Sequence, residues 1–106
     1  MTYELTTQYD SRASFYGKAR VEVNDTKDVL RLISYTTHVA TVLIDPQHLI
    51  SSTGKQARVY GTYSATTLRH IKEFLRQNGF VADNSKQIMA DYGTEVTAKT
   101  HQADYA

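Results

Sequence analysis

The chain has 106 residues, 41 % apolar and 22 % charged, which bounds it to one domain with a modest core and excludes wholesale disorder. It contains no cysteine, so disulfides, thiolate metal sites and cysteine nucleophiles are excluded. The net charge of +1 is unevenly placed: residues 12–79 hold ten Lys/Arg against five Asp/Glu, while both flanks are acidic. A mildly basic middle suits phosphates or acidic protein surfaces.

Residues 1–11 are polar and Thr-rich and read as a flexible N-terminal arm or a short edge strand. They lack a basic stretch leading into an apolar one, so no signal peptide is expected. No apolar run reaches the ~18 residues needed to cross a bilayer. The expected setting is soluble and cytoplasmic, with no membrane partner. The folded domain is expected over 12–93, with 94–106 a frayed tail.

From Ala13 the pattern alternates strictly. Ala13, Phe15, Gly17, Ala19, Val21 and Val23 fall on one side; Ser14, Tyr16, Lys18, Arg20 and Glu22 fall on the other. Period two predicts a half-buried strand. Asn24 to Asp28 supply turn-forming side chains. VLRLISYTTHVATVLI, 29–44, is too long for one ordinary strand. It splits near Tyr35-Thr36 into a hairpin, or stays a single bent strand. Asp45-Pro46 ends it, 45–56 reads as a loop with His48 to Ile50 a short extension, and ARVYGTY (57–63) alternates again as a last strand.

The helical signals come last. Ser64 is a good N-cap, Leu68, Ile71 and Leu75 share a face with Phe74 beside them, and Asn78-Gly79 is a stop. A second helix is expected from a cap at Asn84 or Ser85, with Gln87 reaching back, Ile88, Met89 and Tyr92 on its apolar side, and Gly93 at its end. Strands first and helices after predict an α+β domain: a three- to four-stranded antiparallel sheet followed by two helices packed on one face.

Catalytic motifs are missing. His38, His48, His70 and His101 show no helical i, i+4 pairing, so no metal site is expected. His70, one position off the apolar face, reads as a surface or boundary residue. The acids lie in turns and tails, where solvation explains them. No serine sits on a nucleophile elbow, and the five glycines are isolated. No enzyme activity and no cofactor are expected.

The stronger lead is a basic row. Arg69, Lys72 and Arg76 are spaced i, i+3, i+7 and line up on the outer face of the first helix. Arg58 lies in the preceding strand; Lys18 and Arg20 share the polar face of the first strand with Tyr16. Eight of the eleven aromatics are tyrosine, and Tyr9, Tyr16, Tyr35, Tyr60 and Tyr63 gather in the strand half. Tyrosine suits interfaces, and basic residues interleaved with it suit phosphates and bases. The plain alternative is a solvated helix face and strand-loving rings.

YDSRASFYGKA (9–19), LISYTTHVA (32–40) and YGTYSATTLRHIKEFLRQNGF (60–80) resemble small uncharacterised proteins from phages and mobile elements of Gram-positive bacteria, over roughly 9–93. The resemblance brings no catalytic residue. It implies a non-enzymatic protein that binds and modulates a host protein machine, with an anti-CRISPR inhibitor of a Cas9-type nuclease as one concrete form. Direct nucleic-acid binding through the basic row is the alternative. The near-neutral charge disfavours DNA mimicry by a carboxylate array. Monomer and homodimer are both compatible with the pattern.

Overall fold

The computed structural model describes residues 1–11, 14–45 and 54–94. Five strands, β1 (Thr2–Glu4), β2 (Ala19–Val23), β3 (Val29–Ser34), β4 (Thr37–Ile44) and β5 (Lys55–Val59), precede two helices, α1 (Ala65–Gln77) and α2 (Ser85–Tyr92). The strands pair in chain order as one antiparallel meander. The class is α+β as expected, with five strands in place of three or four.

The additional strand comes from the N-terminus. Of the two readings of residues 1–11, the structure has the edge strand: Thr2, Tyr3 and Glu4 pair with Glu22, Val21 and Arg20. The terminal ammonium donates to the Val23 carbonyl at 3.0 Å, and Leu5 is buried. Within the alternating run, the described residues 14–23 form a strand only from Ala19. Ahead of it, Tyr16 and Gly17 both adopt positive φ (54° and 75°), and the Lys18 amide closes a turn onto the Phe15 carbonyl at 3.1 Å. That turn breaks the period while still burying Phe15.

The 29–44 segment is a hairpin with Ser34 opposite Thr37. Its turn has no Gly or Asn, and Tyr35 itself takes φ 57°. A register shift at Leu32/Ile33 leaves Val39 as the extra residue of a bulge, yet still buried. The last strand covers 55–59, not 57–63. The expected extension at 48–50, His101 and the tail beyond Thr94 lie outside the described residues.

Both helices pack on the sheet face that carries Val21, Leu32, Val42 and Val59. α1 starts where Ser64 Oγ accepts from the Thr67 amide at 3.2 Å. It stops where Gly79, at φ 87°, lets the Gly79 and Phe80 amides bond back to Arg76 and Leu75. Asn84 caps α2 by accepting from Gln87 N, while the Gln87 side chain reaches Asp83 N, one residue ahead of the cap. Met89, expected on the apolar side, is exposed; Ile88 is the buried anchor.

Gly93 ends α2 against β5. It forms a parallel bridge with Val59, and Thr94 N donates to the Val59 carbonyl at 2.8 Å, which covers the open edge of the sheet. A Cβ at Gly93 would run into the Met89 carbonyl. Gly93→Ala is therefore expected to cost about 1–3 kcal/mol by overpacking. A thermal melt lowered by several degrees would report it; an unchanged midpoint would mean the helix end yields freely.

Candidate binding surface around helix α1

The inner face of α1 sets the outer one. Ile71, Phe74 and Leu75 are fully buried in the core, so Arg69, Lys72 and Arg76 stand at the opposite margin, half-buried. They line a cavity of about 300 Å3, closed on its far side by Tyr9, Asp10 and Ser11. Two of the three cations have an acid nearby: Arg69 Nη1 is 4.0 Å from Asp10 Oδ1, and Arg76 Nη2 is 4.0 Å from Asp83 Oδ1. The cavity is thus mixed in sign.

Its far wall is held by Glu73. This carboxylate is 1 % exposed, at odds with the expectation that the acids lie in turns and tails. Its Oε1 accepts from three successive backbone amides, Gln8 at 2.9 Å, Tyr9 at 2.8 Å and Asp10 at 3.1 Å. Its Oε2 accepts from Gln77 Nε2 at 2.7 Å, and the same amide group donates to the Thr6 carbonyl at 2.6 Å. Consecutive amides turned toward one point form an anion-binding nest, and the protein fills it with its own side chain.

A second cavity, of about 140 Å3, lies further toward the start of α1. Lys18, Tyr16, Tyr35, Thr66, Arg69 and His70 line it. No carboxylate occurs among the described lining residues, so it differs in character from its neighbour. His70 is 1 % exposed, not a surface residue. Its Nδ1 lies 2.7 Å from Ser34 Oγ, which lies 3.0 Å from Thr67 Oγ1. The Phe15 ring meets it edge-on at 4.6 Å, and Tyr35 lies tilted at 5.9 Å. Burial holds the imidazole below its ordinary range, Asp10 pulls it back up and Lys18 adds to the lowering.

The structure gathers part of the expected set. Arg69, Lys72 and Arg76 share one cavity; Lys18 and Tyr16 share the next, and Arg69 belongs to both. Arg20 sits close by, donating to the Tyr35 carbonyl at 3.1 Å. Arg58 does not join them: it alternates with the buried Ala57 and Val59 and lies on the sheet face away from the helices. Tyr63, at φ 55°, is exposed ahead of the cap and lines neither cavity. Sequence reasoning missed Glu73, Ser34 and the buried state of His70. The available signal was local: Glu73 and Gln77 at i, i+4 flank the apolar Phe74. Among the described residues no group of three His, Cys, Asp or Glu is placed to hold a metal ion, and no helix is long and apolar enough to cross a membrane.

A family model for a family of unknown function, DUF8033, matches residues 3–91. The chain belongs to that family. The matched span contains every described residue that lines either cavity, together with Glu73 and Ser34. No curated protein and no solved structure matches the chain.

Two outcomes follow from this geometry in the DUF8033 domain. Glu73→Ala strands three backbone donors and should cost about 3 kcal/mol. Hydrogen exchange should show the amides of Gln8, Tyr9 and Asp10 losing protection together; retained protection would mean the nest forms without the carboxylate. The His70 shift has a definite sign. The unfolded chain takes up a proton near the ordinary value of 6.5, the folded chain at lower pH. Stability is complete above that value and falls as the pH drops below it. Denaturant midpoints measured between pH 7 and 5 should decline, and His70→Asn should flatten the decline.

Proposed function

We propose that the domain is a non-catalytic binding protein of phage or mobile-element origin that docks on a host protein through the α1 row and the tyrosines beside it. The observation that carries this reading is the mixed sign of the larger cavity. Arg69, Lys72 and Arg76 share it with Asp10 and the buried Glu73. A nucleic-acid backbone offers one sign of charge throughout. A protein surface offers both, and pairs with such an arrangement without setting like charges against each other. Tyr9, Tyr16 and Tyr35 stand exposed around the same helix, and tyrosine is enriched where proteins meet. The absence of an expected catalytic motif and the sequence resemblance to proteins of mobile elements support the same class. A Cas9-type nuclease is the sharpest version of the partner, and it rests on that resemblance.

The test is capture from bacterial lysate after nuclease digestion, followed by reconstitution of the retained complex from purified components. The triple variant R69E/K72E/R76E should weaken the reconstituted complex at least about tenfold. Capture that disappears with nuclease, with affinity falling steeply in salt, would transfer the row to direct nucleic-acid binding. A complex indifferent to the triple variant would place the docking face elsewhere.

A further inference from the structure

The smaller cavity differs from the larger one in the charges that line it. Its described lining carries two cations, Lys18 and Arg69, and no carboxylate, while Asp10 and Glu73 line the larger cavity. Hydroxyls come from Thr66 and from the two tyrosines. Such a set favours an anion that accepts several hydrogen bonds. At about 140 Å3 it is smaller than the ~300–1,000 Å3 of sites that swallow a whole drug-sized molecule, so it takes a headgroup.

The wall supplies a further donor. Ser34 engages Nδ1 of the buried His70, whose ring lines the cavity. Ser34 Oγ lies between Nδ1 and Thr67 Oγ1, and either order of donation fits these distances; the order in which Thr67 donates to Ser34 and Ser34 to Nδ1 puts the ring proton on Nε2, which is the tautomer an anion in the cavity requires. At the mouth stand Tyr16, 76 % exposed, and Tyr35, 45 % exposed, with Lys18 Nζ 5.9 Å from the Tyr35 ring centre. Exposed rings beside a phosphate-sized basic cavity fit a flat group attached to that phosphate, because every base offers a π-face for stacking.

We infer that this cavity binds a nucleoside monophosphate, its phosphate between Lys18, Arg69 and His70 Nε2–H and its base against Tyr16 or Tyr35. The site shares Arg69, Tyr16 and Tyr35 with the proposed docking surface but not Lys72 or Arg76, and the inference stands whether or not that surface docks a host protein.

The experiment is calorimetric titration of the full chain with AMP, GMP, CMP and UMP, alongside adenosine, inorganic phosphate and phosphotyrosine. At least one nucleotide should bind saturably below millimolar concentration, with adenosine and inorganic phosphate each at least about tenfold weaker. Lys18→Gln and Tyr16→Ala, both at exposed positions, should each weaken nucleotide binding about tenfold, while Lys72→Gln leaves it unchanged. In the wild-type chain the nucleotide should shift the His70 ring signals, and its nitrogen spectrum should show the proton on Nε2. Absence of saturable binding for all four nucleotides overturns the inference. So does binding that Lys18→Gln leaves intact, or phosphotyrosine or inorganic phosphate binding as tightly as the best nucleotide. A proton found on Nδ1 in the bound state removes His70 from the site and overturns the geometry given above.

Discussion

The arrangement around α1 depends on one carboxylate. Glu73 sits beside Phe74, at the depth where an unpaired charge is costly, and it is compensated by three backbone amides and the Gln77 side chain. This ties a segment near the N-terminus to a helix more than sixty residues away. The residues between β1 and β2 would otherwise be a long polar connection. With Gln8 to Asp10 anchored on α1, the connection becomes a wall, and Tyr9, Asp10 and Ser11 are set against the basic row.

A second polar contact fixes the other end of the helix. Ser34 closes β3 at the hairpin, and its hydroxyl meets both Thr67 and His70 from consecutive turns of α1. Apolar packing by Ile71, Phe74 and Leu75 holds the helix to the sheet but tolerates small shifts along it. Directional bonds at Ser34 and at Glu73, 2.7–3.1 Å long, tolerate much less. The two cavities lie at these two anchor points, so their walls are set by the bonds that register the helix. Tyr16 and Tyr35 are placed by backbone turns at positive φ, a conformation that neither residue favours, and each stands at the mouth of the smaller cavity.

What was legible in the sequence was what is local. Ser64, Asn78-Gly79 and the Leu68/Ile71/Leu75 spacing place α1 within a residue at each end. The length of 29–44 suggested a hairpin at Tyr35-Thr36, the poor turn residues kept a single bent strand open, and the structure has the hairpin. The failures share one cause. Alternation from Ala13 to Val23 looked continuous because turn residues happened to carry period two, and nothing in the pattern shows that Tyr16 takes a left-handed backbone. Glu73 and His70 are polar residues on a helix, and their default place is solvent. They are buried because segments distant in sequence, Gln8 to Asp10 in one case and Ser34 in the other, bring the matching polar atoms. That complementarity belongs to the fold and has no period. Arg58 was legible only as a residue of the strand before α1; with Ala57 and Val59 buried toward the helices, it falls on the other side of the sheet.

Arg69 is where the two halves of the surface meet. Its guanidinium lines both cavities, and its Nη1 is buried without a hydrogen bond, 4.0 Å from Asp10 Oδ1. That distance is too long for a hydrogen bond and short enough for attraction, so the group is drawn toward Asp10 without being locked to it. On the proposed reading, an anion in the smaller cavity would compete with Asp10 for the same cation, and a cationic side chain docked on Asp10 would release Arg69 in the other direction. Coupling through that one side chain would be reciprocal in binding free energy.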